Sequence, residues 1–306
     1  MKLFTSLINT IKEHFRLKLI ICFILCAILP LLILGTISYK ISYNIAKDKI
    51  LKETAISCEK NQHLLENRMT QIENLEDSIH FNLCMLCTTA ERPMSNYLDK
   101  LSAVRNNIAS IADSFNIYHV NIFLPDDSFA SKEGLTFCSL SDLKKYKVQL
   151  SDFSKQGLTP NWIFRKDINF PYMVSKGEEP SGVLSCYRYA KINSQKTCLA
   201  VHITSEELSN YLNTFSEGNP SLSYIINSEG VVLSSTDKKQ IGGSLSNEKL
   251  HAITQNLRLS HFSYDKCEII STPVHNQLFL VTETPDYYIR QSSSFLVKMI
   301  FICFKI

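Results

Sequence analysis

The side chains best suited to hold a small molecule run Asn161-Trp162-Ile163-Phe164-Arg165-Lys166-Asp167-Ile168-Asn169-Phe170-Pro171-Tyr172, followed by Tyr187-Arg188-Tyr189. A small-ligand pocket needs an apolar wall with a few converging polar groups. Trp162, Tyr172, Tyr187 and Tyr189 can supply the wall. Arg165 can clamp a carboxylate through its forked guanidinium, and Asp167 can take an ammonium. These six residues form the candidate ligand-binding set. On a strand, side chains alternate between faces, which sends Trp162 and Phe164 one way and Arg165 and Asp167 the other. The same pattern also fits a core tryptophan beside a surface Arg165–Asp167 pair.

Catalytic and metal chemistry have no comparable footing. No Ser/His/Asp or Cys/His set stands at a spacing from which a triad can be argued. No enzymatic activity, catalytic residue, metal or cofactor is expected. Cys84-Met85-Leu86-Cys87 is a CxxC with His80 about one helical turn before it. A metal or redox site wants a second ligand pair and an exposed setting. These cysteines instead sit among Phe81, Leu83, Met85 and Leu86 on an expected helix, and read as small apolar residues. The ten cysteines show no framework spacing, so no disulfide scaffold is inferred. Gly242-Gly243 reads as an ordinary turn rather than a phosphate loop. The net charge of +3 comes with no basic run, which argues against a nucleic-acid partner.

The elements that must position the candidate set begin at a membrane. Leu19 to Tyr39 is an uncharged run of 21 residues between Lys18 and Lys40. As a helix it reaches the ~30 Å of a bilayer core. It is longer than the apolar core of a cleaved signal and lacks a small-residue cleavage site, so it reads as a retained anchor. Pro30 is tolerated in a membrane helix. Lys2, Lys12, Arg16 and Lys18 precede the run against a single Glu13. The positive-inside rule then leaves residues 1–18 in the cytoplasm and sends the rest outside the plasma membrane. The apolar residues from Phe295 onward, interrupted by Lys298 and Lys305, read as the opening of a second membrane helix cut short, over 291–306.

After Lys40 no proline occurs until Pro93, and Leu65, Met69, Ile72, Ile79, Leu83 and Leu86 recur at helical spacing. The membrane helix is therefore expected to continue into a stalk, 40–115. Its second part carries Tyr97, Leu101, Val104, Ile108, Ile111 and Phe115 in steps of four and three. That stripe fits either the seam of a homodimer or a face packed on a sheet. Strands are expected from Ile117 to Leu124, with a Pro125-Asp126-Asp127 turn and a return strand Ser128–Ser131. A polar helix over Ser141–Gln149 follows, then strands 161–168, 182–191 and 196–203. Thr204 opens a helix with acidic residues behind it, as in a capping box. A second strand–turn–strand, helix and three strands follow from Leu222 to Thr284. The order of elements repeats although the residues match poorly, so the duplication is topological.

The run Leu29 to Ile50 (LPLLILGTISYKISYNIAKDKI), the helix Gln71 to Asn82, Leu98 to Ile108 leading into Val120-Asn-Ile-Phe-Leu-Pro125, and Ile225 to Ser235 together resemble the extracytoplasmic half of Cache-containing sensor histidine kinases of the YesM type. The resemblance covers nearly all of the chain. It implies an α+β fold: a membrane helix continuing into a stalk, then two tandem PAS-like antiparallel-sheet modules, a double Cache. The membrane-distal module would be 116–204 and the membrane-proximal module 205–290, with an unidentified small extracellular ligand held in the distal one. A long helix leaving a membrane is, by itself, also a natural stalk for a homodimer. Relatives continue into a phosphoacceptor helix and an ATPase domain, whose signatures this chain lacks. None of the eight histidines has a phosphoacceptor context. Two other functions fit the same residues: a ligand-free anchored interaction protein, and the sensor half of a chemoreceptor or cyclic-dinucleotide enzyme.

Overall fold

The computed structural model describes residues 15–87, 94–144, 161–166, 180–192, 195–212, 220–255, 259–275 and 278–293. The chain divides into two compact units, residues 1–53 with 285–306, and residues 54–284. Helix α1 (Phe15–Cys87) runs unbroken for 73 residues through Pro30. It is the one described helix long and apolar enough to cross a membrane, and Leu19, Phe23, Leu25, Leu29, Leu32, Leu34 and Ile37 along it are exposed. The expected continuation of the apolar run into a stalk is present.

In the first unit, Ser42 and Ala46 lie one turn apart on α1 and are buried, as are Ile289 and Ser293 of a helix over 286–293. The Tyr43 hydroxyl donates to Asp286 Oδ1 at 2.7 Å, and Arg290 pairs with the other oxygen of Asp286 at 2.7 Å. The hydroxyl and then the guanidinium hold the Asp286 carboxyl below its ordinary range. The residues expected to open a second membrane helix lie mostly outside the described residues.

In the second unit, Leu65, Met69, Ile72, Leu75, Ile79 and Leu83 form a buried stripe along α1, while Asn67, Gln71, Asn74 and Ser78 stay exposed. Each fully buried side chain of this size contributes about 1.5–3 kcal/mol. Helix α2 (Met94–Ser114) ends where Asn116 adopts a left-handed conformation, φ 51°. The Ile117 amide donates back to Ala112 O at 2.7 Å and the Asn116 amide to Asp113 O at 3.3 Å, which closes a Schellman cap. Buried Arg68 of α1 donates to Phe115 O at 2.5 Å, satisfying a carbonyl that the helix end leaves open.

Ten strands follow: β1 His119–Leu124, β2 Phe137–Ser139, β3 Asn161–Arg165, β4 Val183–Ile192, β5 Gln195–Thr204, β6 Leu222–Ile226, β7 Val232–Ser235, β8 Ser260–Tyr264, β9 Cys267–Val274 and β10 Leu278–Pro285. The first sheet is ordered β2-β1-β5-β4-β3 and the second β7-β6-β10-β9-β8. The two modules thus repeat one strand order. Helix α3 (Ser205–Ser209) links them, capped by Thr204, whose hydroxyl accepts the Glu207 amide at 3.1 Å. Helix α4 (Asn247–Thr254) follows β7, capped by Ser246.

Two expectations fail. Residues 128–131 are a turn and a short 3₁₀ helix, not a return strand, and β2 pairs with β1 in parallel, Ile122 opposite Phe137. The cause is Glu133. One of its carboxylate oxygens accepts the amides of Leu135, Thr136 and Phe137, turning the chain back before it can form a hairpin. The helix expected over 141–149 is a 3₁₀ turn at Leu140–Lys144. Residues 145–149 are outside the description.

Glu76 also lies on the α1 stripe and is fully buried, with no hydrogen bond of ordinary geometry at either oxygen. Burial pushes its carboxyl well above the ordinary range, Glu73 and Asp77 push the same way, and the Cys186 thiol and Arg188 oppose them. A folded-state value above the unfolded one contributes stability that is complete below the ordinary glutamate range and is lost as pH rises toward the raised value. Glu76→Leu is therefore expected to gain about 1–3 kcal/mol near neutral pH. The gain should shrink toward zero at acidic pH in urea titrations; a gain that does not change with pH contradicts the assignment.

Candidate ligand-binding site

Register decides which candidate residues meet. Arg165 pairs with Val183, Ile163 with Ser185 and Asn161 with Tyr187. Ser185, Tyr187 and Tyr189 then stand opposite His202, Ala200 and Cys198 of β5. His119, Asn121 and Phe123 of β1 complete the rows. Because cross-strand partners share a face, Arg165, Tyr187 and Tyr189 lie on one face of the first sheet. Its apolar floor is Phe123, Cys138, Leu143, Val183, Tyr187, Cys198 and Ala200, with Tyr118, Leu140, Ile163 and Tyr189 packed around it.

Trp162 lies on the opposite face. Its indole N–H donates to Glu73 Oε1 of α1 at 3.1 Å. Neighbouring Arg188 of β4 donates to Asp77 Oδ1 at 2.5 Å and to the Glu73 carbonyl at 3.4 Å. Asp167 and Tyr172 lie outside the described residues. Three of the six candidate residues are thus brought together, and one is held against the helix.

A polar string crosses the candidate face and was not singled out from sequence. The Ser185 hydroxyl meets His202 Nδ1 at 2.7 Å, His202 Nε2 meets Asn121 Oδ1 at 2.9 Å, and Asn121 Nδ2 donates to Leu135 O at 2.8 Å. An amide oxygen only accepts, so Nε2 carries the proton and Nδ1 accepts from Ser185; the assignment follows from the network. Burial, then the proximity of His119 and Arg165, hold the His202 imidazole well below its ordinary value. The His119 ring stacks on it at 6.4 Å and the Tyr187 ring meets it edge-on at 6.1 Å.

Although Ser185, His202 and Asn121 mimic a nucleophile, base and orienting group, all three are buried. Their hydrogen bonds tie β1, β4 and β5 together, and the imidazole is held neutral rather than basic. Burial also pushes the Tyr187 hydroxyl up to about 12 and raises the Cys198 thiol, so neither is an activated nucleophile. On this face Tyr187 belongs to the buried floor, Tyr189 packs against it and Arg165 stands at its edge on β3. The only hint in the sequence is His202 at an alternate position of an otherwise apolar strand.

The matching face of the second sheet is filled. Tyr224, Ile226, Val232, Ile253, Ile269, Phe279 and Val281 form its core. The Tyr224 hydroxyl donates to Glu283, Lys249 Nζ meets the same oxygen at 2.5 Å, and that ammonium lies 5.7 Å from the Tyr224 ring centre. A separate cleft of about 450 Å³ opens between the end of α2, the start of β1 and α3, lined by Asp113, Asn116, Tyr118, Glu206, Glu207 and Asn210 among others. Its Glu207 is already bound by Arg68 at 3.3 Å and by Asn116 and Asn210.

No family model and no curated protein match the chain. Solved structures do share its fold. The periplasmic sensory domain of the Campylobacter jejuni chemoreceptor Tlp1 aligns over 78% of this chain and 98% of its own, with 14% identity and a TM-score of 0.58. The extracellular domain assigned to the histidine kinase vpHK1S-Z8 aligns over 80% and 98%, with 13% identity and a TM-score of 0.59. The ligand-binding domain of Mlp24, solved with asparagine, aligns over 84% and 99%, with 10% identity and a TM-score of 0.53. The chain is similar to these in fold: a long N-terminal helix followed by two sheet modules.

The buried neutral His202 has a defined pH signature. Its folded-state value lies below the unfolded one, so the stability it contributes is present above the ordinary histidine range and is lost as pH falls through it. His202→Gln is expected to flatten the loss of stability on acidification below about pH 6.5 and to cost about 1–3 kcal/mol at neutral pH through the broken string. Chemical unfolding across that range checks both; an unchanged acid limb contradicts a neutral buried imidazole.

Proposed function

We propose that this chain is the sensory part of a bacterial plasma-membrane receptor with a double Cache architecture. Leu19–Tyr39 spans the bilayer, residues 1–18 stay in the cytoplasm, and both sheet modules stand outside. The module of residues 116–204 is distal and binds a small extracellular molecule on the face carrying Arg165, Tyr187 and Tyr189. The module of 205–290 is proximal. Binding shifts the population between two arrangements of α1 in a homodimer. A sensor histidine kinase of the YesM type is the favoured context.

The observation that carries this reading is the pair of sheets with one strand order, arrayed along a helix that begins as an uncharged bilayer-length run. The likeness in fold to sensory domains of a chemoreceptor and a histidine kinase supports it. Arg165, on β3 at the edge of the first sheet, favours that module as the binding one. Mlp24 is recorded with asparagine and the Campylobacter jejuni chemoreceptor Tlp3 with L-valine, which makes compounds bearing an α-carboxylate the first ligands to try here. Arg165 is the group on this face suited to such a carboxylate.

The test is thermal unfolding of the full chain in detergent against a panel of amino acids and small carboxylates. A ligand at a hundredfold excess over its Kd stabilises by about 2.7 kcal/mol. At least one compound is expected to raise the midpoint, with the rise abolished by Arg165→Ala. A folded chain that no small molecule shifts points to the ligand-free interaction protein instead.

A further inference from the structure

Among the described residues strand β3 is an edge strand five residues long, paired only with β4. Its alternate residues serve two surfaces. Ile163 and Arg165 belong to the candidate ligand face, and Trp162 to the face against α1. The oxygen that holds the Trp162 indole at 3.1 Å, Glu73 Oε1, also holds His275 Nε2 at 2.8 Å. His275 directly follows β9, which ends at Val274, in the second module. One carboxylate oxygen on the stalk helix therefore carries a strand of the first module on one side and the residue that follows β9 of the second on the other. The residue after β3 makes a further contact. Lys166 lies against Gly242 of the second module, which has a left-handed φ of 75°, and a Cβ there would collide with the lysine stem. Glu73 is four-fifths buried and His275 about two-thirds, with side-chain exposures of 18% and 30%. At that depth the hydrogen bonds are shielded from solvent competition.

We infer that Glu73 is the relay through which the ligand-bearing strand β3 is coupled to the second module. The inference rests on the sensory reading for its purpose, but its geometry is independent of any ligand. A molecule seated on Ile163 and Arg165 pushes or pulls a strand held by one neighbour. The indole on the reverse side moves with it. The Glu73 carboxylate must then either follow, carrying α1, or release the indole and settle on His275 alone. Arg188 on the Asp77 carboxylate and the Glu73 carbonyl keeps the adjoining turn of α1 fixed to β4, so the Glu73 side chain is the part able to change partners. Glu73 acts through Trp162 and His275 and contacts no ligand, so it is a positioning residue.

The test is a double-mutant cycle in the full ligand-free chain, read by amide hydrogen exchange in β3 and in β9. Trp162→Phe keeps the ring and removes the N–H; His275→Gln keeps a polar side chain of similar reach. Trp162→Phe is expected to lower protection in β9 as well as in β3, and His275→Gln to lower protection in β3. Residues sharing one partner couple measurably, so the double variant should fall short of the combined single effects by about threefold or more in protection. Glu73→Gln should reproduce the loss in both strands. Effects confined to the substituted module, or purely additive, overturn the relay. If Glu73→Gln fails to fold, the Trp162 and His275 pair still decides the matter. A chain that binds no compound yet shows the coupling keeps the relay and loses the sensory reading; a chain that binds one with additive substitutions does the reverse.

Discussion

One helix face serves two sheets. From Leu65 to Leu83 the apolar stripe of α1 is buried, and Leu83 lies beside Ile122, Ala190 and Leu199 of the first sheet. Polar contacts mark the order in which the sheets meet the helix. Gln62 accepts from Thr272 of β9 at 2.8 Å, Glu73 meets both modules, and Asp77 meets β4. Arg68, between them, caps α2 and pairs with Glu207 of α3, the link between the modules. Burial of one amphipathic surface thus fixes the order, the spacing and the inner faces of both modules. Buried Glu76 in the same stripe is a local departure from that rule, of the kind expected where a protein retains something other than stability.

The outer faces are then free to differ. The second sheet closes on itself with α4 and the Lys249–Glu283–Tyr224 group. The first has Tyr187 within its buried floor, Tyr189 packed against it and Arg165 at its edge, the floor braced by Ser185, His202 and Asn121. The β1–β2 pair differs too, parallel in the first sheet where β6–β7 is antiparallel. That change follows from the Glu133 loop and leaves the order of strands intact. The two modules thus keep one scaffold and differ in the side chains on their matching faces.

Local signals in the sequence were sufficient for most elements. Helical spacing exposed the α1 stripe, Thr204 with Glu207 marked the start of α3, and the strand–turn–strand at Leu222 to Ser235 marked the start of the second module. The repeated order of elements was visible even though the residues diverge. What was not visible is non-local. Alternation along β3 separated Trp162 from Arg165, but nothing near Trp162 in sequence shows that its indole finds Glu73, and nothing near His275 shows that it finds the same oxygen. The Ser185–His202–Asn121 string needs the β4–β5 and β1–β5 registers together. The parallel β2 was missed because a Pro-Asp-Asp turn ordinarily announces a hairpin, and the override is a single carboxylate binding three amides downstream.

The account stands on the shared helix. Its most direct measurement is the opening free energy of the central strands β5 and β10 from native-state hydrogen exchange of the full chain across a denaturant series. A common floor predicts that both strands reach one and the same global opening, since neither sheet keeps its inner face covered without α1. Release of β10 in a separate, lower-energy opening, with β5 and α1 still protected, would contradict it.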